Sequence, residues 1–325
     1  MLFILFSSCG FSKNSFQNKT LKLPIELEGG LHPNWVTGFA DAECTFSVSL
    51  WKINESKWGI KLIFGILLHH KDIVLLKKIQ SFFGVGNITI RKKDGAIFYT
   101  VQSIKDLTNV IIPHFLKYPL LSKKRADFLL FKSIVDLMNK GEHLTTEGLN
   151  KIVGIKASMN RGLSDSLRES FPNIASVDRP LVESTEVSDP YWLVGFVDGE
   201  GCFHVQIVKS KLSKMGYAVS LRFKIGQHSR DYSLMESLVK YLDCGATRVD
   251  SSSPAVYFSV SKFADINNNI RSFFDKYQLQ GSKRLDYSDF CKVIDLMKEK
   301  VHLTNEGLKQ IREIKSHMNS GREHN

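Results

Sequence analysis

The sequence predicts an α+β protein of two pseudo-symmetric repeats, and three observations predict it. The segment Trp35-Val-Thr-Gly-Phe-Ala-Asp-Ala-Glu43 returns as Trp192-Leu-Val-Gly-Phe-Val-Asp-Gly-Glu200, displaced by 157 positions. His143-Leu-Thr-Thr-Glu-Gly-Leu149 returns as His302-Leu-Thr-Asn-Glu-Gly-Leu308, displaced by 159, and His69 and Asp72 share that second displacement with His228 and Asp231. Ordered self-similarity over such a span marks a duplicated unit. The two-residue change in displacement falls between Glu43 and His69 and belongs in a hairpin turn. The third observation is that both copies run through the same periodicities: a short helix, paired period-two runs, a helix, a second pair of short runs, then helices.

The first helix is expected near residues 34–42 and again near 190–199, where Asp189 is positioned as N-cap and Pro190 suits the first helical turn. Gly38 and Ala42 lie four apart, as do Gly195 and Gly199, so each helix carries a small-residue stripe that lets two helix axes approach closely. Apolar and polar residues alternate in Phe46-Ser-Val-Ser-Leu50 and in Phe203-His-Val-Gln-Ile207 with Leu221-Arg-Phe-Lys-Ile225, and Ile60-Lys-Leu-Ile-Phe64 is the fourth such run by position. This is the pattern of a sheet with one wet face. Residues 54–59 and 210–216 supply the turns between these runs. A helix near 72–83, short strands near 86–91 and 97–101, and helices near 105–116, 123–140 and 146–160 complete the unit. Leu149, Ile152, Ile155 and Met159, repeated as Leu308, Ile311, Ile314 and Met318, give the last helix an apolar flank for the core. The chain therefore divides into an N-terminal arm or leader (1–30), a first repeat (31–162), a linker unmatched in the other copy (163–189) and a second repeat (190–325).

Lys and Arg outnumber Asp and Glu by 44 to 33, a formal net charge of +11 that favours an acidic partner, either nucleic acid or an anionic membrane surface. Five cysteines, odd in number and without CxxC spacing, argue against a disulfide framework or a structural zinc site and fit a reducing compartment. No apolar run approaches the roughly 20 residues that span a bilayer, so no membrane is expected as partner. The apolar opening lacks a preceding basic residue and makes a poor secretory signal. The acid-free stretch that follows, with Lys13, Lys19 and Lys22, reads as an import-like leader or an arm.

If the two first helices pack along their small stripes, their C-terminal ends bring Glu43 and Glu200 together. Two carboxylates near helix C-termini oppose each other's ionisation unless a cation compensates them, and magnesium, a hard cation with oxygen ligands, fits that need. Asp41 and Asp198 are expected to be structural. For the glutamates, the residues alone leave capping and cation binding both open.

The repeated segments resemble the LAGLIDADG motif of homing endonucleases, and the order of elements in each copy is similar to that family's αββαββα unit, over about residues 35–321. The likeness is nearest to single-chain, two-motif members of fungal mitochondrial introns. It implies two repeats packed through the motif helices, each with a four-stranded antiparallel DNA-binding sheet. It also implies that Glu43 and Glu200 bind the divalent metal, with the carbonyls of Ala42 and Gly199 as secondary contributors. Mg2+ is the implied cofactor, with Mn2+ as substitute. The implied reaction is in-line attack of a metal-activated water on a phosphodiester, one strand per half-site, leaving a staggered double-strand break. The family places a basic or amide residue near each metal. Gln227 matches the amide position of the second copy, where the first holds Leu68, and Lys105 and Lys262, out of register between copies, are candidates for the basic role. Cys44 replaces the motif's final glycine, which Gly201 keeps, so the two acids are expected in unequal surroundings with unequal strand cleavage.

The implied partner is double-stranded DNA, read sequence-specifically in the major groove by a monomer with internal pseudo-twofold symmetry, in mitochondria. The wet-face candidates for base reading are Ser47, Ser49, Lys61 and Ile63 in the first repeat and His204, Gln206, Arg222 and Lys224 in the second, and Gln227 is also expected to touch DNA. Lys52, Lys57, Lys209, Lys211, Lys214 and the Arg91-Lys92-Lys93 cluster suit phosphates. His69, His70 and His228 lack other repeated ligands and are taken as strand-end or phosphate-contact residues. The alternatives are an RNA-binding maturase that assists splicing of its own intron (intron RNA as partner) and a DNA-binding protein with degenerate catalysis; the retention of both glutamates argues against the latter.

Overall fold

The computed structural model describes residues 30–54, 57–182 and 186–322; apart from Gly30, the expected arm or leader lies outside the described residues. The first motif helix, Pro33–Glu43, starts where His32 accepts a hydrogen bond from the Asn34 amide and Pro33 occupies the first turn. The second, Pro190–Glu200, is capped as expected, Asp189 accepting from the amides of Tyr191 and Trp192. Each helix leads directly into a hairpin.

In the first repeat, β1 (Cys44–Lys52) pairs antiparallel with β2 (Trp58–Leu68), and β4 (Ile97–Val101) joins β2 to the edge strand β3 (Asn87–Ile90), giving the order β1-β2-β4-β3. The second repeat reproduces this with β5 (Gly201–Lys209), β6 (Tyr217–His228), β7 (Ala246–Val249) and β8 (Ala255–Val260), in the order β5-β6-β8-β7. Cys44 opposes Ile66 and Gly201 opposes Ile225, so the two hairpins share one register. The turn after β5 is two residues longer than the turn after β1, which accounts for the change in displacement between copies. The strands exceed the alternating runs because ladder bonds continue over Gly65, Gly226 and other residues that the binary pattern does not mark.

One face of each sheet carries the buried Phe46, Val48, Leu62 and Phe64, or Phe203, Val205, Leu221 and Phe223. The helices Ile73–Phe83, Lys124–Asn139 and Thr146–Ala157, and their equivalents Tyr232–Leu242, Lys283–Lys298 and Asn305–Ser316, complete that core. Of the apolar flank on the last helix, Ile152, Ile155 and Met159 are buried in the first copy and Leu308, Ile311 and Met318 in the second, as packing requires. The helix expected near 105–116 is interrupted by a π-helical segment, Leu107–Ile111, repeated as Ile266–Arg271.

The linker is more structured than a tether. It contains the helix Asp165–Ser170, packs Phe171 in a tilted contact against Trp58 and sends Arg179 into a bidentate pair with the buried Asp127 at 2.9 and 2.7 Å. In the second repeat Arg322 makes the corresponding pair with Asp286 and Asp289.

Candidate active site and nucleic-acid interface

The motif helices meet along their small-residue stripes. A Cβ added to Gly38 would stand 1.9 Å from the Trp192 carbonyl oxygen, and one on Gly195 would stand 2.0 Å from the Trp35 carbonyl oxygen. Only glycine permits that approach. The crossing is fixed by two indoles, Trp35 Nε1 donating to Asp198 and Trp192 Nε1 donating to Asp41, each at 2.9 Å. Asp41 also accepts from the Leu121 and Ser122 amides and the Ser122 hydroxyl, and Asp198 accepts from the amides of Gln280 and Gly281. Burial pushes both carboxyls up, Asp198 to about 6, while these donors pull them back. The two aspartates are structural, and they act across the repeats.

Glu43 and Glu200 end their helices where the axes are still in contact: a Cβ on Gly199 would lie 2.3 Å from Ala42 Cβ and 3.4 Å from the Glu43 carboxylate. Burial raises the pKa of Glu43, and burial together with the charge of Glu43 pushes Glu200 up to about 7. Two lysines oppose this. Lys124 Nζ donates to the carbonyls of Ala40 and Ala42 at 3.0 and 3.3 Å, and Lys283 Nζ donates to those of Val197 and Gly199 at 3.0 and 2.7 Å. Each lysine thus caps a motif helix at its negative end and lowers the pKa of both acids. Burial in turn lowers the pKa of Lys283.

The sequence reading did not single out these lysines. The repeat contained their signal, since Lys124, Arg125 and Asp127 recur 159 positions on as Lys283, Arg284 and Asp286. Asp72 and Asp231 place them. Asp72 of the first repeat accepts from the Ser282 amide at 2.9 Å, and Asp231 of the second accepts from the Lys123 amide at 2.6 Å, so each repeat anchors the start of the other's lysine-bearing helix.

Lys105 and Lys262, the candidates for the basic role, both lie just beyond the inner strands, at the start of the following helical segments. Lys105 is exposed and has no hydrogen bond or ion pair among the described residues, and Lys262 is exposed and pairs with Asp265 at 3.3 Å. Gln227, expected both as the amide near the second metal and as a DNA contact, lies near the end of β6. Its register opposite the buried Val256 puts it on the helix side of the sheet, and its Oε1 accepts from the neighbouring His228 amide, so it is not on the reading face. Ala42 and Gly199 are at the acids as expected, with their carbonyls already receiving lysine. His69 and His228 cap the short turns after β2 and β6, the strand-end role foreseen for them.

Among the described residues no group of three or more His, Cys, Asp and Glu is placed to hold a metal. The carboxylate pair offers oxygen donors of the kind a hard cation takes, and such an ion would complete its shell with carbonyl, water and phosphate oxygens. Two opposed, half-buried acids beside cations fit such an ion.

The face of each sheet away from the core holds the other candidates. Ser47 opposes Ile63 and Ser49 opposes Lys61, while His204 opposes Arg222 and Cys202 opposes Lys224. Lys224 Nζ lies 3.4 Å from the centroid of the Tyr257 ring, which holds it. Lys52, Lys57, Lys209, Lys211 and Lys214 are exposed at the hairpin ends. Lys92 and Lys93 are exposed beyond β3, and Arg91 there is tied to Asp94 in a bidentate pair.

A family model described as LAGLIDADG endonuclease matches residues 36–135 and 193–294. The chain is 42% identical over 282 residues to a probable intron-encoded endonuclease of Neurospora crassa, covering 85% of this chain and 52% of that protein. It is 38% identical over 328 residues to a second such protein of the same fungus, covering 95% and 71%. The chain thus spans about half the length of the first relative and more of the second. Among solved structures, I-SmaMI bound to an uncleaved DNA target with calcium ions superposes with a TM-score of 0.87 at 43% identity, covering 90% of this chain and all of that one. I-SmaMI bound to cleaved DNA gives 0.88, and I-GzeII in complex with its DNA target 0.85 at 40% identity.

Proposed function

This chain belongs to the LAGLIDADG endonuclease family, and from that premise we propose that it is a site-specific homing endonuclease. It makes a double-strand break in a long DNA target by divalent-metal-dependent phosphodiester hydrolysis. The observation that carries the reading is the meeting of Glu43 and Glu200 at the ends of crossing helices, each helix capped by a lysine. Glu43 and Glu200, with the Ala42 and Gly199 carbonyls beside them, are the residues that would hold magnesium, with manganese as substitute. Such an ion, when bound, supplies charge neutralisation at the phosphate and a water that is nucleophilic at neutral pH. The protein's part is to deliver both carboxylates ionised and fixed. Lys124 and Lys283 favour the ionised forms and add positive charge where negative charge develops on the scissile groups.

The exposed faces of the two sheets would lie along the major groove over about two turns of duplex, with the hairpin cations on phosphates. One chain carrying both acids would act as a monomer and cut one strand per half-site, in the mitochondrion that the fungal intron relatives point to. The maturase reading is not favoured, because the two acids and their lysines form a site that RNA binding alone does not require.

The test is incubation with intron-lacking target DNA and magnesium. Wild-type protein should linearise the target, Glu43→Gln and Glu200→Gln should each lose double-strand cleavage, and the double variant should be inert. An uncut target with wild type, or full cutting by both single variants, would sink the reading.

A further inference from the structure

The two reading faces differ in chemistry at equivalent positions. The repeat displacements make Ile63 equivalent to Arg222, Gly65 to Lys224 and Thr89 to Arg248. The ladders place all six on the exposed sides: Ile63 opposes Ser47, Gly65 opposes Thr100, and Thr89 opposes Phe98, while Arg222 opposes His204, Lys224 opposes Ser259, and Arg248 opposes Tyr257.

The first face is largely apolar. The Phe98 ring covers Gly65 and the half-exposed Trp51 ring covers Gly59, closely enough that a Cβ on either glycine would collide with the ring. Leu67 shares this face through its register opposite Phe98. Among the described strand residues of this face, the one cation is Lys61. The second face carries three, with Arg222 and Arg248 exposed and Lys224 held over Tyr257. Major-groove edges separate along the same line. Guanine offers two acceptors, O6 and N7, which suit Arg and Lys, whereas thymine offers a methyl group that suits apolar side chains.

We propose that the target is chemically lopsided: the half-site under the second repeat is specified by guanines, and the half-site under the first by thymine methyl groups. This rests on the endonuclease reading for the placement of DNA on the sheets, and the experiment separates the two.

A randomised duplex library is passed over the full chain twice, once in calcium to recover bound duplexes and once in magnesium to recover cut ones. Arg222→Ile and Ile63→Arg, which exchange one equivalent pair, are run beside wild type. Bound duplexes should show guanine enriched in one half and T·A pairs in the other. Arg222→Ile should reduce guanine preference about tenfold or more at one position of the guanine half, and Ile63→Arg should raise it at the mirror position of the other. Guanine shared equally between halves, or either variant altering the opposite half, overturns the proposal. Lopsided binding without cutting in magnesium leaves the proposal standing and removes the endonuclease reading; cutting at sites that lack the asymmetry does the reverse.

Discussion

The chemistry of this chain turns on four side chains that hold one another's charge. Glu200, raised to about 7 by burial and by Glu43, keeps its proton over a range where the unfolded chain, near 4.5, has released it. Its contribution to stability is therefore complete below about 4.5 and lost as pH rises through 7, by roughly 3 kcal/mol at most. In chelator, the melting temperature should fall between pH 5 and pH 8, Glu200→Gln should flatten that decline, and magnesium should restore stability at pH 8 because it binds the ionised form. A melting temperature that rises over the same range contradicts this account of the pair. Lys283 acts in the opposite sense, since its charge lowers the pKa of both acids. Lys283→Met should slow single-turnover cleavage about 100-fold and move the rise of the pH–rate profile to higher pH. A lysine with only a helix-capping role would lower the melting temperature and leave that profile in place.

At the scale of elements, the crossing of the motif helices sets everything that follows. Backbone meets backbone at Gly38 and Gly195, and a carbonyl oxygen cannot give way as a flexible side chain can. Gly38→Ala or Gly195→Ala should cost roughly 1–3 kcal/mol or more and separate the two acids, so urea unfolding and cleavage should both suffer. Gly141→Ala, where a Cβ meets nothing within 4 Å and the strain is only the positive φ of 74°, should cost about 1–2 kcal/mol and leave the rate of cleavage alone. Equal kinetic damage from both substitutions would mean that the crossing does not position the site. The same crossing carries the exchanged anchors, Asp72 with Ser282 and Asp231 with Lys123. Neither repeat can place its own lysine without the other.

For the molecule as a whole, a formal net charge of +11 over the full sequence, with exposed lysines at both hairpin ends, implies strong dependence on salt. With about six to ten phosphate contacts, affinity for target duplex should fall about 10³- to 10⁵-fold between 50 and 200 mM salt. Fluorescence anisotropy across that range measures the slope, and a flat response would exclude the hairpin cations as phosphate contacts. The linker belongs to this scale too. Arg179 reaches back to Asp127 of the first repeat, where the second repeat uses its own Arg322 on Asp286, so the segment that joins the lobes also completes one of them.

The sequence by itself determined the duplication, the αββαββα order and the pairing of the two acids by position, because periodicity and repetition are properties of the chain read in line. Even the two-residue difference between hairpin turns was visible as a shift in displacement. It did not show that Gln227 lies on the helix side of β6, since alternation weakens at the end of that strand, where polar residues occupy both sides. It left Lys124 and Lys283 unselected, because nothing local distinguishes a lysine at a helix start that reaches back to the motif carbonyls from one left in solvent. Only the tertiary structure sets them apart. The partners of Lys124 lie more than 80 positions away and those of Asp72 more than 200, and contacts of that separation exist only after the two helices have crossed.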